Sequence, residues 1–235
     1  MERNDLLHRL AAHLSERDLG HPLRVGIDGP SGVGKTTFAN DLADAIRRLG
    51  RPVVRVDSDG FHHVRAIRHR QGRDSARGYY EDAYDLDALR DHVLIPLGPG
   101  GSRRFVTKVH DLTSDAVVRE EADAPADAVV LFDATFLQSG SLRDHWDEVI
   151  LLDAPDAVAQ RRGVDRDAAV LGGAAAALAA YESRYTAAFR IYVAEERPSD
   201  RASILLDHTD PLDPAVIRGL DGTAAGGWEG PQSLR

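Results

Sequence analysis

The sequence predicts an α/β protein: a three-layer α/β/α sandwich around a five-stranded, mainly parallel sheet, with a small hairpin as an insertion. Three observations lead there. Short apolar, β-branched runs recur at residues 23–27, 52–56, 128–132, 148–152 and 202–206. They are mostly apolar rather than alternating, as strands covered on both faces are. Each run is followed by an aspartate, at Asp28, Asp57, Asp133, Asp153 and Asp207, which places five carboxylates at the strand ends where open α/β sheets bind ligands. Singly, an Asp at such a position also serves as a helix cap or turn former.

The elements follow in order. Residues 4–19 place Leu6, Leu7, Leu10, Ala11 and Leu14 at helical spacing and predict an amphipathic helix. After the first strand and a Gly-rich loop, residues 36–49 carry Phe38, Leu42, Ala45, Ile46 and Leu49 on one stripe, with Gly50 as the stop. The strand at 52–56 completes a parallel βαβ unit with a right-handed connection and is expected to lie beside the first strand. Between it and the third strand, residues 60–127 hold an Arg/His-rich loop, a helix near 86–94, a GPGG turn at 98–101 and a hairpin around 105–118. Residues 221–235 are Gly-rich and unpatterned, and read as a flexible tail behind one domain spanning 1–220. Trp146, Tyr181 and Tyr185 fall in apolar helical patterns and are expected to pack.

Composition narrows the function. A chain of 235 residues with 43% hydrophobic and 29% charged residues supports one proper core. The longest apolar run, at 172–181, is too short and Ala-rich to span a bilayer, and the charged N-terminus lacks a signal-peptide core. With no cysteine there is neither disulfide nor thiolate metal site, and the cytoplasm is the default compartment. A net charge of −9 argues against a nucleic-acid groove but permits a pocket for a small anion. A homodimer is the default assembly.

Residues 29–36 read GPSGVGKT and satisfy G-x-x-x-x-G-K-[ST] between a predicted strand and a predicted helix. Gly29, Pro30, Ser31, Gly32, Val33, Gly34, Lys35, Thr36 and Thr37 are therefore expected to cradle a nucleotide's phosphates. The glycines turn amides inward at a helix N-terminus, Lys35 reaches the β- and γ-phosphates, and Thr36 ligates Mg²⁺. The chain's two lysines, Lys35 and Lys108, leave no room for the Asn-Lys-x-Asp guanine motif of a GTPase. A small-molecule kinase needs two further parts, a carboxylate to take the acceptor's proton and an arginine-bearing lid.

Candidates for both exist, in VDSDGFHH (56–63), YYEDAYDLDAL (79–89), QRRGVDRD (160–167) and DHTDP (207–211). In this order they resemble the uridine kinase, pantothenate kinase and phosphoribulokinase group of P-loop kinases, from about residue 23 to 211. The resemblance implies ATP as donor, a small hydroxyl-bearing acceptor, and Asp59 of the DGF stretch as the base. It implies acceptor binding by the segment holding Asp82 and Tyr84, and a lid over about 156–172 carrying Arg161, Arg162 and Arg166. Two departures stand out. Asp133-Ala134 replaces the Glu-Gly of uridine kinases, and Asp115 of HDLTSD stands at the position of their uridine-holding histidine.

The expected roles are then Asp59 as general base with Asp57 as its rival, and Lys35, Arg162 and Arg166 as charge stabilisers. Thr36, Asp133 and Asp59 are placed at the metal; the alternative for Asp133 is a helix cap. The basic run of His62, His63, Arg65, Arg68, His69, Arg70 and Arg73 suits an acceptor carrying a carboxylate or phosphate, with His62 and Arg68 in contact. The alternative for that run is a solvated loop. The acceptor is a uridine-like nucleoside or a pantothenate-like alcohol, with a sugar phosphate, or an ATP-binding regulator without acceptor, as alternatives.

Overall fold

The computed structural model describes residues 2–220; the tail expected at 221–235 lies outside the described residues. Helix α1 (Arg3–Ser15) precedes β1 (Leu23–Asp28), the phosphate loop, α2 (Lys35–Arg48) and β2 (Val53–Asp57). A single turn over Ser58–Phe61 leads to three short helices, α3 (Arg65–Arg68), α4 (Ala76–Asp82) and α5 (Leu86–Leu89), the last continued by a wide turn over Arg90–Leu94. The hairpin β3 (Arg104–Asp111) and β4 (Ala116–Asp123) stands apart as a two-stranded sheet. Then follow β5 (Val129–Asp133), β6 (Glu148–Asp153), α6 (Asp156–Leu171) and α7 (Ala174–Ala180). A wide turn at Tyr181–Tyr185, α8 (Thr186–Glu196), α9 (Pro198–Arg201), β7 (Ile204–Asp207) and β8 (Ala215–Arg218) complete the chain.

The main sheet has six strands in the order β2-β5-β1-β6-β7-β8; the first five run parallel and β8 is antiparallel to β7. Two expectations are corrected. The sheet gains a sixth strand, a four-residue edge too short to stand out as a pattern. And β2 does not lie beside β1, because β5 sits between them, with Asp57 and Asp133 register partners. The first helix also ends at Ser15 rather than 19, since Leu19 is left 41% exposed instead of packing.

Burial explains the layers. β1, β5 and β6 are buried along their whole lengths, and their side chains divide between two cores. Val25, Ile27, Leu131 and Ile150 face α1 and α2, where Leu6, Leu10, Leu14, Phe38, Leu42 and Ile46 meet them. On the other face Val56, Val130 and Phe132 pack with Leu89, Val93, Leu97 and Phe105. Each fully buried Leu, Ile or Phe contributes about 1.5–3 kcal/mol, so a strand wedged between two such layers is held from both sides. A third cluster, Tyr79, Phe136, Phe189 and Tyr192, joins α4 to α8 beside the carboxyl edge.

Candidate active site

The five parallel strands end at Asp28, Asp57, Asp133, Asp153 and Asp207, as the sequence predicted, and a cleft of about 1450 Å³ opens over that edge. Its floor is the phosphate loop. Gly34 caps α2 with φ +105° and Gly32 turns with φ +86°, conformations that L side chains rarely adopt. A side chain at Gly32 would also collide with the Ala159 carbonyl of α6, so α6 lies directly on the loop. Residues 31–37 line the cleft at the N-terminus of α2, where helix amides attract anions.

Behind the loop, Lys35 donates to the Gly29 and Pro30 carbonyls at 2.9 Å and to the Thr135 hydroxyl at 3.1 Å. Burial lowers its pKa to about 8 against the opposing pull of Asp28 and Asp133. Asp28 is fully buried and accepts from the Gly29 amide at 2.8 Å, from Gln138 at 3.4 Å and from the Tyr192 hydroxyl. Burial raises its pKa.

Thr36 donates to Asp133 Oδ2 at 2.6 Å, and Arg55 of β2 pairs with Asp133 Oδ1. A hydroxyl and a carboxylate thus meet at the mouth of an anion nest, which is the hard oxygen donor set that Mg²⁺ takes together with phosphate, so these residues fit the ion. Since β5 is interposed, Asp133 stands between the phosphate loop and β2.

Asp57 and Asp59 differ in what holds them. Asp57 caps the turn over Ser58–Phe61 by accepting from the Asp59 amide at 2.9 Å. The Asp59 carboxylate is 68% exposed, opening into the cleft. The surrounding walls still raise its pKa by desolvation, reinforced by Asp57 and Asp133. Arg166 acts on it in the opposite sense, and the same guanidinium acts on Lys35.

On α6, Arg162 and Arg166 lie one turn apart and both line the cleft, whereas Arg161 does not. The extra residue in QRRGVDRD relative to the R-R-x-x-R-D pattern therefore leaves an i, i+4 pair facing the cleft. Arg162 donates to the His208 and Thr209 carbonyls at 3.0 and 2.6 Å. Arg166 forks onto Asp167 at 2.7 and 2.9 Å and reaches the Tyr181 hydroxyl, which in turn donates to Asp167 at 2.8 Å. Tyr181 was expected only to pack; its ring is buried, but its hydroxyl belongs to this cluster.

Across the cleft, His62 stacks on Tyr84 at 4.4 Å between ring centroids. Burial lowers the His62 pKa to about 4, with Arg68 and Arg184 adding to the effect, so the ring is neutral. Arg68 lines the same wall. Asp82 does not join them: it is buried, bonded to Arg70 and to Gln71 at 2.9 Å, and pins the basic loop from beneath. Arg55, Thr135 and Arg184 also line or support this site although no motif holds them; an arginine inside VVRVD, which forms a half-buried edge strand and not the fully buried one expected, is the one local signal.

Among the described residues no helix is long and apolar enough to cross a membrane. Comparison with known proteins agrees with the geometry. Residues 24–207 match the model of the phosphoribulokinase / uridine kinase family. The chain is 23% identical over 148 residues to a uridine kinase of Leuconostoc citreum (strain KM20), covering 62% of this chain and 69% of that protein. It is 25% identical over 150 residues to a uridine kinase of Limosilactobacillus reuteri (strain DSM 20016), covering 62% and 65%. A possible uridine kinase from Bacillus stearothermophilus superposes with a TM-score of 0.67 over 87% of this chain and 99% of that one, at 23% identity. A candidate fructose transport system kinase from Silicibacter sp. TM1040 gives 0.65 over 83% and 95%, also at 23% identity. The three-layer fold is shared with both. The chain belongs to the phosphoribulokinase / uridine kinase family and is a P-loop kinase.

Proposed function

We propose that this kinase transfers the γ-phosphoryl group of ATP to a hydroxyl of a uridine-like nucleoside or a pantothenate-like alcohol, with Mg²⁺ as cofactor. The observation that carries this reading is the Asp59 carboxylate, open to the cleft that also holds Lys35 and Thr36, while Asp57 is engaged in capping. Asp59 accepts the acceptor's proton, and its raised pKa makes it a better base than an ordinary aspartate. Lys35 leaves the loop carbonyls for phosphate oxygens. Arg166 exchanges Asp167 for the phosphoryl group, a fork-to-fork substitution that arginine geometry allows. Thr36 and Asp133 would hold Mg²⁺, which would supply neutralisation of phosphate charge. The lid role of α6 is supported by consecutive positive-φ glycines, Gly172 and Gly173, at its end, where a pivot would absorb closure.

The test is a coupled ADP-release assay over nucleosides, pantothenate and sugar phosphates. Lys35→Ala should lower turnover by about two orders of magnitude or more with an unchanged circular dichroism spectrum. Asp59→Asn should abolish transfer and spare ATP binding. Were Asp57→Asn the inactive variant instead, the base would be misassigned; ADP release independent of any alcohol would reject the kinase reaction.

A further inference from the structure

The cleft is lined by a second group of basic side chains, apart from Lys35, Arg162 and Arg166. Arg65 and Arg68 of α3, Arg73 of the following turn and Arg184 of the turn before α8 all line it, around His69. Their convergence is registered by His69, whose pKa is lowered by burial and then by Arg184, Arg68, Arg73 and Arg65. One carboxylate organises the group. Asp115 accepts from the Arg65 amide at 2.8 Å, from Arg68 at 3.3 Å and from His110 at 3.1 Å.

Beyond Asp115 the charge is unbalanced. Among the described residues no carboxylate pairs with the guanidinium of Arg65, Arg73 or Arg184. Arg184 is instead fixed by stacking, 4.8 Å over Tyr79 and 5.2 Å over Tyr185. The Nε atoms of Arg68 and Arg184 are buried without a hydrogen-bond partner, as is Nδ1 of His62 on the same wall. Buried donors left unpaired are costly, and for a cation the natural missing partner is an anion. In the proposed reaction Lys35, Arg162 and Arg166 are assigned to the nucleotide's phosphates, which leaves these arginines for another ligand.

We infer that this wall binds an oxyanion on the acceptor: the kinase acts on a small alcohol bearing a carboxylate or phosphate, held by Arg68, Arg73 and Arg184, and not on an uncharged nucleoside or sugar. This rests on the proposed kinase reaction and narrows its acceptor. Asp115 is a positioning residue that aims Arg68.

Matched acceptors test it: pantothenate against panthenol, glycerate against glycerol, and fructose 6-phosphate against fructose, with uridine as the neutral nucleoside. Expected is a charged member preferred by about a hundredfold in kcat/KM over its neutral twin; the pair that shows it tells carboxylate from phosphate. Arg184→Gln and the more exposed Arg73→Gln should each raise acceptor KM about tenfold or more and leave the KM for ATP within about twofold. Equal use of neutral acceptors, or a rise in ATP KM instead, would overturn the inference. Thermal shift with the same pairs, in the presence of a non-hydrolysable ATP analogue, reads binding without turnover. If no alcohol is phosphorylated but charged twins alone still stabilise the protein, the kinase reaction fails and the anion site stands; if neither twin binds, the site fails too.

Discussion

Lys35 shows how a single side chain is prepared for a ligand. Its ammonium is buried against carbonyls, with a pKa near 8 compared with 10.5 for an ordinary lysine. A lowered lysine pKa means that burial of the charge costs stability at neutral pH, a cost relieved as pH rises from about 8 towards 10.5. Phosphate binding works the other way, since it demands the charged form. Nucleotide affinity should therefore fall as pH rises above about 8, by up to about tenfold per unit, with proton uptake on binding between pH 8 and 9.5. Calorimetry in buffers of different ionisation enthalpy measures that uptake, and equal uptake by Lys35→Ala would refute the assignment. Lys35, Thr36 and the glycines were legible because their function is local, a loop and the helix that follows it. Arg55, Thr135 and Arg184 were not, because each acquires its role from a partner on another strand or helix: Asp133, Lys35 and the Tyr79 ring. Asp82 misled for the same reason, its carboxylate being claimed by Arg70 and Gln71.

At the scale of elements, α6 is the piece whose packing decides the site. Gly163 lies mid-helix and buried, and a side chain there would overlap the Tyr181 ring. In an exposed helix Gly→Ala gains about 1 kcal/mol; here Gly163→Ala should lose about 1–3 kcal/mol through overpacking, displace the Tyr181 hydroxyl from Arg166 and Asp167, and raise the KM for ATP. Urea unfolding and steady-state kinetics check both effects, and a stabilised variant with unaltered KM would show that the close contact is dispensable. Helix periodicity made α1, α2 and α5 readable to within a few residues. It could not show that α6 touches the phosphate loop, because that contact depends on the absence of a side chain at Gly32.

For the whole molecule, the cleft joins segments from α1 to the loop after β7, so nucleotide should stabilise the fold globally. A non-hydrolysable ATP analogue at a hundred times its Kd should add about 2.7 kcal/mol, or about 5–10 °C in Tm for a chain of this size, and Lys35→Ala should remove the shift in a thermal scan. A shift retained by that variant would place the nucleotide elsewhere. The layered α/β class was legible from the five apolar runs, but the order of strands was not: the runs at 52–56 and 128–132 are both short and apolar, and nothing local distinguishes a neighbour of β1 from a strand one place away. The insertion of β5 between β1 and β2 has a further consequence, in the order of assembly. During synthesis the phosphate loop and β2 emerge early, yet they cannot be joined until the hairpin and every residue up to Asp133 have followed. Such non-local closure is slow, and until β5 docks the nascent chain presents two unpaired strand flanks to its surroundings, making this half of the sheet the part most in need of chaperone shelter.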